Sequence, residues 1–516
     1  MTQSLSHKIV KNTLFNAIGR FWGILVAVVL TPYIISRIGL DRYGIWTLVG
    51  VATSYFGLLD LGIGTSFVKY ISEFHAKGDR EKINRLINTG VIFYSLFAVL
   101  LIGLGVGFIE PLLSILKIPR RLHDEAAIVF LMGIVLFAMS NIVSVFGAIQ
   151  GALQRMDISN KLSLVFSIPA VIGTVLFLKY GFGLVGLMAN NFIVLMLSSL
   201  ANILIAFRLF PELKLSPFLF DKEMLRRLIG FGYKLQLSNI TNIFAFQSDK
   251  VIIAYFLNVE LVSLYQLGKT VVDKARELPL LLVSAIVPAA SEISANGDDR
   301  KLRELYTRGM RYLALTGIPL LVFVFFTAPL IMSAWIGPGC DKAVLVIRLL
   351  VPAYMANYLT GMGSAMALGM GKPQFQLKAS LVNLFVGLPL SILLAVNFGF
   401  TGIVFATFVS LSTGSLYFLV LFHRHLNYSL AELVRKAVVR PAVVSSLLGA
   451  AVFLTNAALF AGPSGRMVYL GVLSAEAFVF FAGYAAALTA GGYLDAYDKE
   501  LIREKISGIK RTAFSG

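Results

Sequence analysis

The stretch from Tyr265 to Pro279, YQLGKTVVDKARELP, gathers Lys269, Asp273, Lys274, Arg276 and Glu277 in a chain otherwise dominated by Leu, Val, Ile and Phe. Two chemistries suit such a run: a glycine loop that grips phosphate, or charges that face a polar cavity inside a membrane. A Walker loop requires GxxxxGK[ST], and the residue five before Gly268 is Ser263, so the first tight-turn glycine is missing. The second chemistry remains. At about 100° per residue, Gln266, Lys269, Asp273, Arg276 and Glu277 fall within a stripe about 100° wide, with Lys274 off it. An ionised side chain at bilayer depth costs about 2.5–3.5 kcal/mol on insertion scales, so this stripe must face something other than lipid.

Other apolar stretches carry polar residues in the same way. Asn16 and Arg20 share one side of the first with Gly23, Ala27 and Thr31. Gly50, Thr53, Gly57, Asp60 and Gly64 share a face about 80° wide on the second, which reads either as a cavity wall with one carboxylate or as a packing seam with a polar plug. On a later stretch Asn239, Phe246 and Lys250 align, with Asn242 and Asp249 toward one flank. Inside the apolar segments Arg20, Lys69, Lys234, Lys250, Lys269, Lys274, Arg276 and Arg348 stand against Asp60, Asp249, Asp273, Glu277 and Glu476, a surplus of about three cations. Lys69 and Lys234 lie close enough to segment ends to snorkel. Paired structural charges are the alternative reading, with Asp249, Asp273 and Glu277 as salt-bridge partners. A cationic cavity suits an anionic substrate, and the guanidinium fork suits phosphate. Asp60, Asp273 or Glu277 would equally serve as the site of a proton or Na⁺ counter-ion. The five histidines have no partner at ligand spacing and Cys340 is the single cysteine, so neither a metal site nor a cofactor is expected.

These side chains need membrane-spanning elements to position them. The 516 residues are 57% hydrophobic and only 14% charged, which is not the make-up of a soluble globule. Apolar windows of about 20 residues predict an all-α integral membrane protein with about fourteen spans. They fall near 13–36, 44–68, 86–108, 126–150, 162–178, 184–207, 230–257, 262–290, 309–332, 343–368, 379–396, 402–422, 441–461 and 468–491. The first has no small-residue cleavage site after it, so a removable signal peptide is not expected. Apolar runs that are continuous rather than alternating exclude a barrel. Loops that include both tails hold about 29 Lys and Arg and the opposite set about 8, which predicts cytoplasmic termini. Much of the net charge of +18 is this bias and does not indicate nucleic acid.

The chain also repeats itself. SEFHAKGDREKINRLINTG from Ser72 and SEISANGDDRKLRELYTRG from Ser291 agree at Ser72/Ser291, Glu73/Glu292, Gly78/Gly297, Asp79/Asp298, Lys82/Lys301 and Gly90/Gly309, among others. The same shift places LDRYGIW (40–46) on VELVSLY (259–265), and nearly the same shift places Gly181-Phe182 on Gly399-Phe400. Six spans per copy give the copies the same orientation, so two parallel six-helix bundles are expected, at 1–207 and 229–423. A cytoplasmic linker at 208–228, two further helices at 424–491 and a cytoplasmic tail at 492–516 complete the division. Such a pair encloses a cavity and works by alternating access. A glycan polymerase or ligase would instead need a sizeable outer loop with an acid, base or nucleophile, and Ile109 to Glu125 is short.

The opening NTLFNAIGRFWGILVAVVLTPYIISRIGLDRYGIW, the FGLLDLGIG of the second span, the SEFHAKGD and SEISANGD loops and the QSDK of the seventh resemble the polysaccharide transporters, including O-antigen flippases, of the multidrug/oligosaccharidyl-lipid/polysaccharide exporter superfamily. The resemblance covers essentially the whole chain. It implies a V-shaped transporter with spans 1, 2, 7 and 8 around a central cavity. It also implies translocation of an undecaprenyl-pyrophosphate-linked oligosaccharide across a bacterial inner membrane, and association with polysaccharide polymerase machinery. On that resemblance Arg20, Lys250, Lys269 and Arg276 neutralise the pyrophosphate, while Asn16, Asn239 and Asn242 meet the sugar. Spans 13 and 14 resemble helices that help form a lipid-tail groove in lipid II flippases. A cation-coupled multidrug exporter is the alternative within the superfamily, and it would want an acidic or aromatic cavity.

Overall fold

The computed structural model describes residues 2–60, 62–280, 283, 286–459 and 465–493. Among them there is no strand. The chain runs through α1 (Thr2–Phe56), α2 (Ile63–Ala76), α3 (Arg80–Ile115), α4 (His123–Ala152), α5 (Met156–Lys179), α6 (Gly183–Leu209), α7 (Lys222–Phe256), α8 (Val259–Leu280), α9 (Ile286–Ala295), α10 (Asp299–Trp335), α11 (Asp341–Gly369), α12 (Gln374–Leu426), the one-turn α13 (Leu430–Leu433), α14 (Val439–Leu459) and α15 (Arg466–Ala490).

Ten helices among the described residues are long and apolar enough to cross a membrane. That is fewer than the fourteen windows for two physical reasons. α1 and α12 each cover two windows, since 55 and 53 residues at 1.5 Å per residue reach about 80 Å, more than twice an apolar core of about 30 Å. Each is broken at a glycine in a non-helical conformation, Gly39 (φ 81°, ψ 170°) and Gly399 (φ 56°, ψ −134°). α7 and α8 are too rich in polar and charged residues to meet the apolar criterion; Lys250 and Lys269 are nonetheless buried. On α3, Leu96, Val99, Leu100 and Val106 point outward, which is costly in water and natural in lipid.

The chain divides into two compact units, Met1–Leu267 with Leu384–Thr407, and Gly268–Asn383 with Phe408–Gly516. The division falls within α8 and α12. In the first unit a core of Phe67, Tyr94, Ile134, Phe146 and Ile149 joins α2, α3 and α4. In the second, Ile318, Val322 and Phe323 of α10 pack with Val452 of α14 and Phe480 of α15.

The repeat is visible in backbone geometry. Gly78 (φ 68°) and Gly297 (φ 67°) terminate α2 and α9, and the next residue caps the following helix in both copies. Asp79 Oδ1 accepts from Lys82 N–H at 3.1 Å, and Asp298 Oδ1 from Lys301 N–H at 3.0 Å. The surrounding turn bonds also recur, Asp79 N–H to Phe74 O and Asp298 N–H to Ile293 O among them. A second matching pair was not evident from residue identity: Gln154 (φ 56°) after α4 and Gly371 (φ 70°) after α11 take the same left-handed turn, although only one is glycine.

The stretch 208–228 is strapped to α3. Asn84 Oδ1 accepts from Lys214 N–H (2.6 Å), Asn88 Oδ1 accepts from Ser216 N–H (2.8 Å), and Asn88 Nδ2 donates to Lys214 O (2.6 Å). Thr89 Oγ1 accepts from Asp221 N–H at 2.9 Å, and Asp221 in turn caps α7 through Glu223 and Met224 N–H. Asn84, Asn88 and Thr89, spaced four and one apart, form one polar edge that fixes where α7 starts.

Candidate substrate-binding cavity

Within the first unit, the second half of α1 and the end of α7 enclose a cavity of about 350 Å³ lined by Tyr43, Trp46, Thr47, Gly50, Val51, Gln247, Lys250 and Gln266. The α1 residues follow the spacing i, i+3, i+4, i+7 of one helical face. Gly50 keeps that face open: a Cβ added there would meet nothing within 4 Å. Among the described residues Lys250 is the one charged residue of the lining, which holds no carboxylate. It is only 7% exposed, and its Nζ donates to Gln247 Oε1 at 2.9 Å. The neighbouring Asp249 carboxylate faces elsewhere and accepts from the Tyr265 hydroxyl at 2.6 Å. Tyr265 thus occupies the buried acid beside Lys250, leaving a polar chamber with a positive wall.

Asp60 sits at a break rather than on a continuous face. Residues Gly57–Asp60 form a turn of 3-10 helix, and Gly62 has φ 70° before α2 begins. The register that aligned Gly50 and Thr53 with Asp60 and Gly64 therefore ends near Gly57. Asp60 Oδ1 accepts from the Tyr94 hydroxyl at 2.5 Å, and Oδ2 accepts from Gly64 N–H at 3.5 Å. Gln236 of α7 closes the same break, donating to Gly57 O (2.8 Å) and Leu58 O (3.0 Å), carbonyls that helix termination would leave bare. Asn239 donates to Gln236 Oε1 at 3.2 Å, so it supports this junction from an exposed position. Asn242 is half-buried on the same helix.

In the second unit Lys269 is buried and Asp273 and Arg276 are half-buried. The Arg276 guanidinium lies 5.5 Å from the centre of the Tyr354 ring, and its buried Nε has no hydrogen-bond acceptor among the described residues. Glu277, placed by its spacing on the stripe, is exposed and pairs with Lys274 at 2.8 Å. Asp273 has no ion pair within 4.0 Å among the described residues. Asn16 and Arg20 belong to α1, and their side chains lie outside the described residues. Lys69, counted among the surplus cations, places its Nζ 3.9 Å from the Phe231 ring centre and 4.6 Å from that of Tyr70.

Sequence reasoning singled out Lys250, Gln266 and Gly50 but not Tyr43, Trp46, Thr47 or Gln247 around them. Gln247 sits three residues before Lys250 on the same helical face, and that spacing was the available signal. Nothing in the local sequence tells Gln236 from other polar residues of α7, because its role depends on a break in another helix.

Ten helices among the described residues, long and apolar enough to cross a membrane, and a polar chamber with a buried lysine define a multi-pass membrane fold. The fold agrees: the structure titled lipid II flippase MurJ, inward closed conformation, matches with a TM-score of 0.70 at 14% identity, covering 92% of this chain and 99% of that one. An inward-facing multidrug resistance MATE family transporter of the MOP superfamily matches with a TM-score of 0.66 at 15% identity, over 81% and 94% of the two chains. In sequence, a putative O-antigen transporter of Shigella flexneri is 21% identical over 357 residues, 68% of this chain and 82% of the relative. The family model described as polysaccharide biosynthesis protein matches residues 88–345, half of the chain. The chain belongs to this polysaccharide biosynthesis family and is a multi-pass membrane protein.

Proposed function

We propose that the protein is a flippase that carries an undecaprenyl-pyrophosphate-linked oligosaccharide across the bacterial inner membrane for surface polysaccharide synthesis. The observation that carries this reading is the Lys250 cavity, with one cation, no carboxylate and amide and aromatic walls. A desolvated ammonium offers an anion a strong charge-assisted hydrogen bond, and Gln247, Gln266 and Thr47 supply the neutral donors and acceptors that sugars need. The same lining is unfavourable for a cationic drug, so the multidrug reading has the wrong charge. The names of the Shigella relative and of the lipid II flippase point the same way.

In this account both termini are cytoplasmic, the two six-helix repeats alternate access, and Lys250, Lys269, Arg20 and Arg276 meet the pyrophosphate. Asp273 is the carboxylate best placed to take a proton or Na⁺, since Asp60, Asp249 and Glu277 already hold Tyr94, Tyr265 and Lys274. The test is complementation of a strain that lacks its own flippase. Lys250→Ala and Arg20→Ala are expected to reach wild-type levels in the membrane and to abolish surface glycan. Normal glycan in both variants contradicts the proposal.

A further inference from the structure

A second chamber lies beside the first and has the opposite character. It encloses about 380 Å³ in the first unit, between α1, the end of α3 and α7, with Leu48, Ala52, Phe56, Ile115, Phe244 and Val251 in its walls. Only two of its lining residues carry a polar side chain, Tyr55 and Ser248, and they satisfy each other. The Ser248 hydroxyl donates to Phe244 O at 2.5 Å, so its oxygen is left to accept from the Tyr55 hydroxyl 3.3 Å away. The Tyr55 ring meets Phe244 edge to face at 5.2 Å between centroids. Among the described lining residues no other side chain could hydrogen-bond a sugar or a phosphate.

The two chambers share Val51, and both take walls from α1 and α7. On α1 the polar chamber uses Tyr43, Trp46, Thr47 and Gly50, and the apolar one begins at Leu48 and continues through Ala52 to Phe56. The two sets interleave along the helix, Leu48 lying between Thr47 and Gly50, and occupy adjoining faces of it that meet at Val51. A positive, amide-lined chamber next to one whose few polar groups bond to each other is complementary to an amphiphile with an anionic head and an aliphatic chain. We propose that the apolar chamber holds the first isoprene units of the polyprenyl chain whose pyrophosphate lies at Lys250. This rests on the flippase reading and adds to it the place where the chain is gripped, inside the first unit.

Filling the chamber tests the proposal. Ala52→Phe and Val251→Trp are expected to occupy it without touching the polar lining. The purified full chain is titrated with undecaprenyl pyrophosphate, inorganic pyrophosphate and phosphatidylglycerol, with retained inorganic pyrophosphate binding and an unchanged thermal midpoint as signs of folding. The expected result is that both variants bind undecaprenyl pyrophosphate at least about tenfold more weakly, with inorganic pyrophosphate binding within about twofold of wild type. Unchanged undecaprenyl pyrophosphate affinity in a folded variant overturns the proposal. So does loss of phosphatidylglycerol binding alone, which would make the chamber the seat of a bulk phospholipid. Failure of the flippase reading looks different: Lys250→Ala would then leave inorganic pyrophosphate binding unchanged.

Discussion

Lys250 is held nine-tenths out of solvent by a helix that would insert more readily without it, and that cost needs a return. A charged hydrogen bond to a substrate phosphate contributes about 1.5–3 kcal/mol, so Lys250→Ala should weaken pyrophosphate binding by about ten- to a hundredfold. Lys250→Arg should recover part of it, and equilibrium titration distinguishes the two. Tyr265→Phe removes a donor from the buried Asp249 carboxylate, and a thermal midpoint lowered by the equivalent of about 1–3 kcal/mol is expected. At this scale the sequence was informative wherever a charge interrupted an apolar run, because insertion cost singles such residues out. Partners were not legible: the bonds from Tyr265 to Asp249 and from Tyr94 to Asp60 join positions 16 and 34 residues apart.

Helix existence was readable from apolar length, and helix interruption was not. The aligned face through Gly50, Thr53 and Asp60 assumed an unbroken register, which the 3-10 turn at Gly57–Asp60 and left-handed Gly62 end. Gln236→Leu should expose that break by leaving two carbonyls without their side-chain donor, lowering stability by about 2 kcal/mol in a thermal scan. The linker, read from sequence as a polar bridge, is fastened along α3, so Asn88→Ala should speed proteolysis within 208–220. The paired caps carry a pH signature. Asp79 is held below its ordinary pKa by the Lys82 side chain and then its N–H, and Asp298 by the Lys301 N–H and then its side chain. Their stabilisation is present above the unfolded carboxylate value of about 3.9 and is lost as pH falls through the depressed folded value. The midpoint should therefore decline in acid less steeply for Asp79→Asn with Asp298→Asn than for wild type.

For the whole molecule, the duplication was the most legible feature, since a shift of 219 carries both a sequence match and the same capped turn from Asp79 to Asp298. The proposed cytoplasmic placement of the termini makes a topological prediction: alkaline phosphatase fused within 116–122 should be active, and the same enzyme fused within 208–216 inactive. The compact units were not legible, because α8 and α12 are continuous in sequence while the boundary falls inside both. The central claim is that this transporter recognises an anionic lipid-linked glycan rather than a cation. Native mass spectrometry of the purified protein, titrated in parallel with undecaprenyl pyrophosphate and a cationic drug, tests it most directly. Saturable lipid binding that weakens in Lys250→Ala is the result expected, and saturable drug binding with no response to the lipid would contradict it.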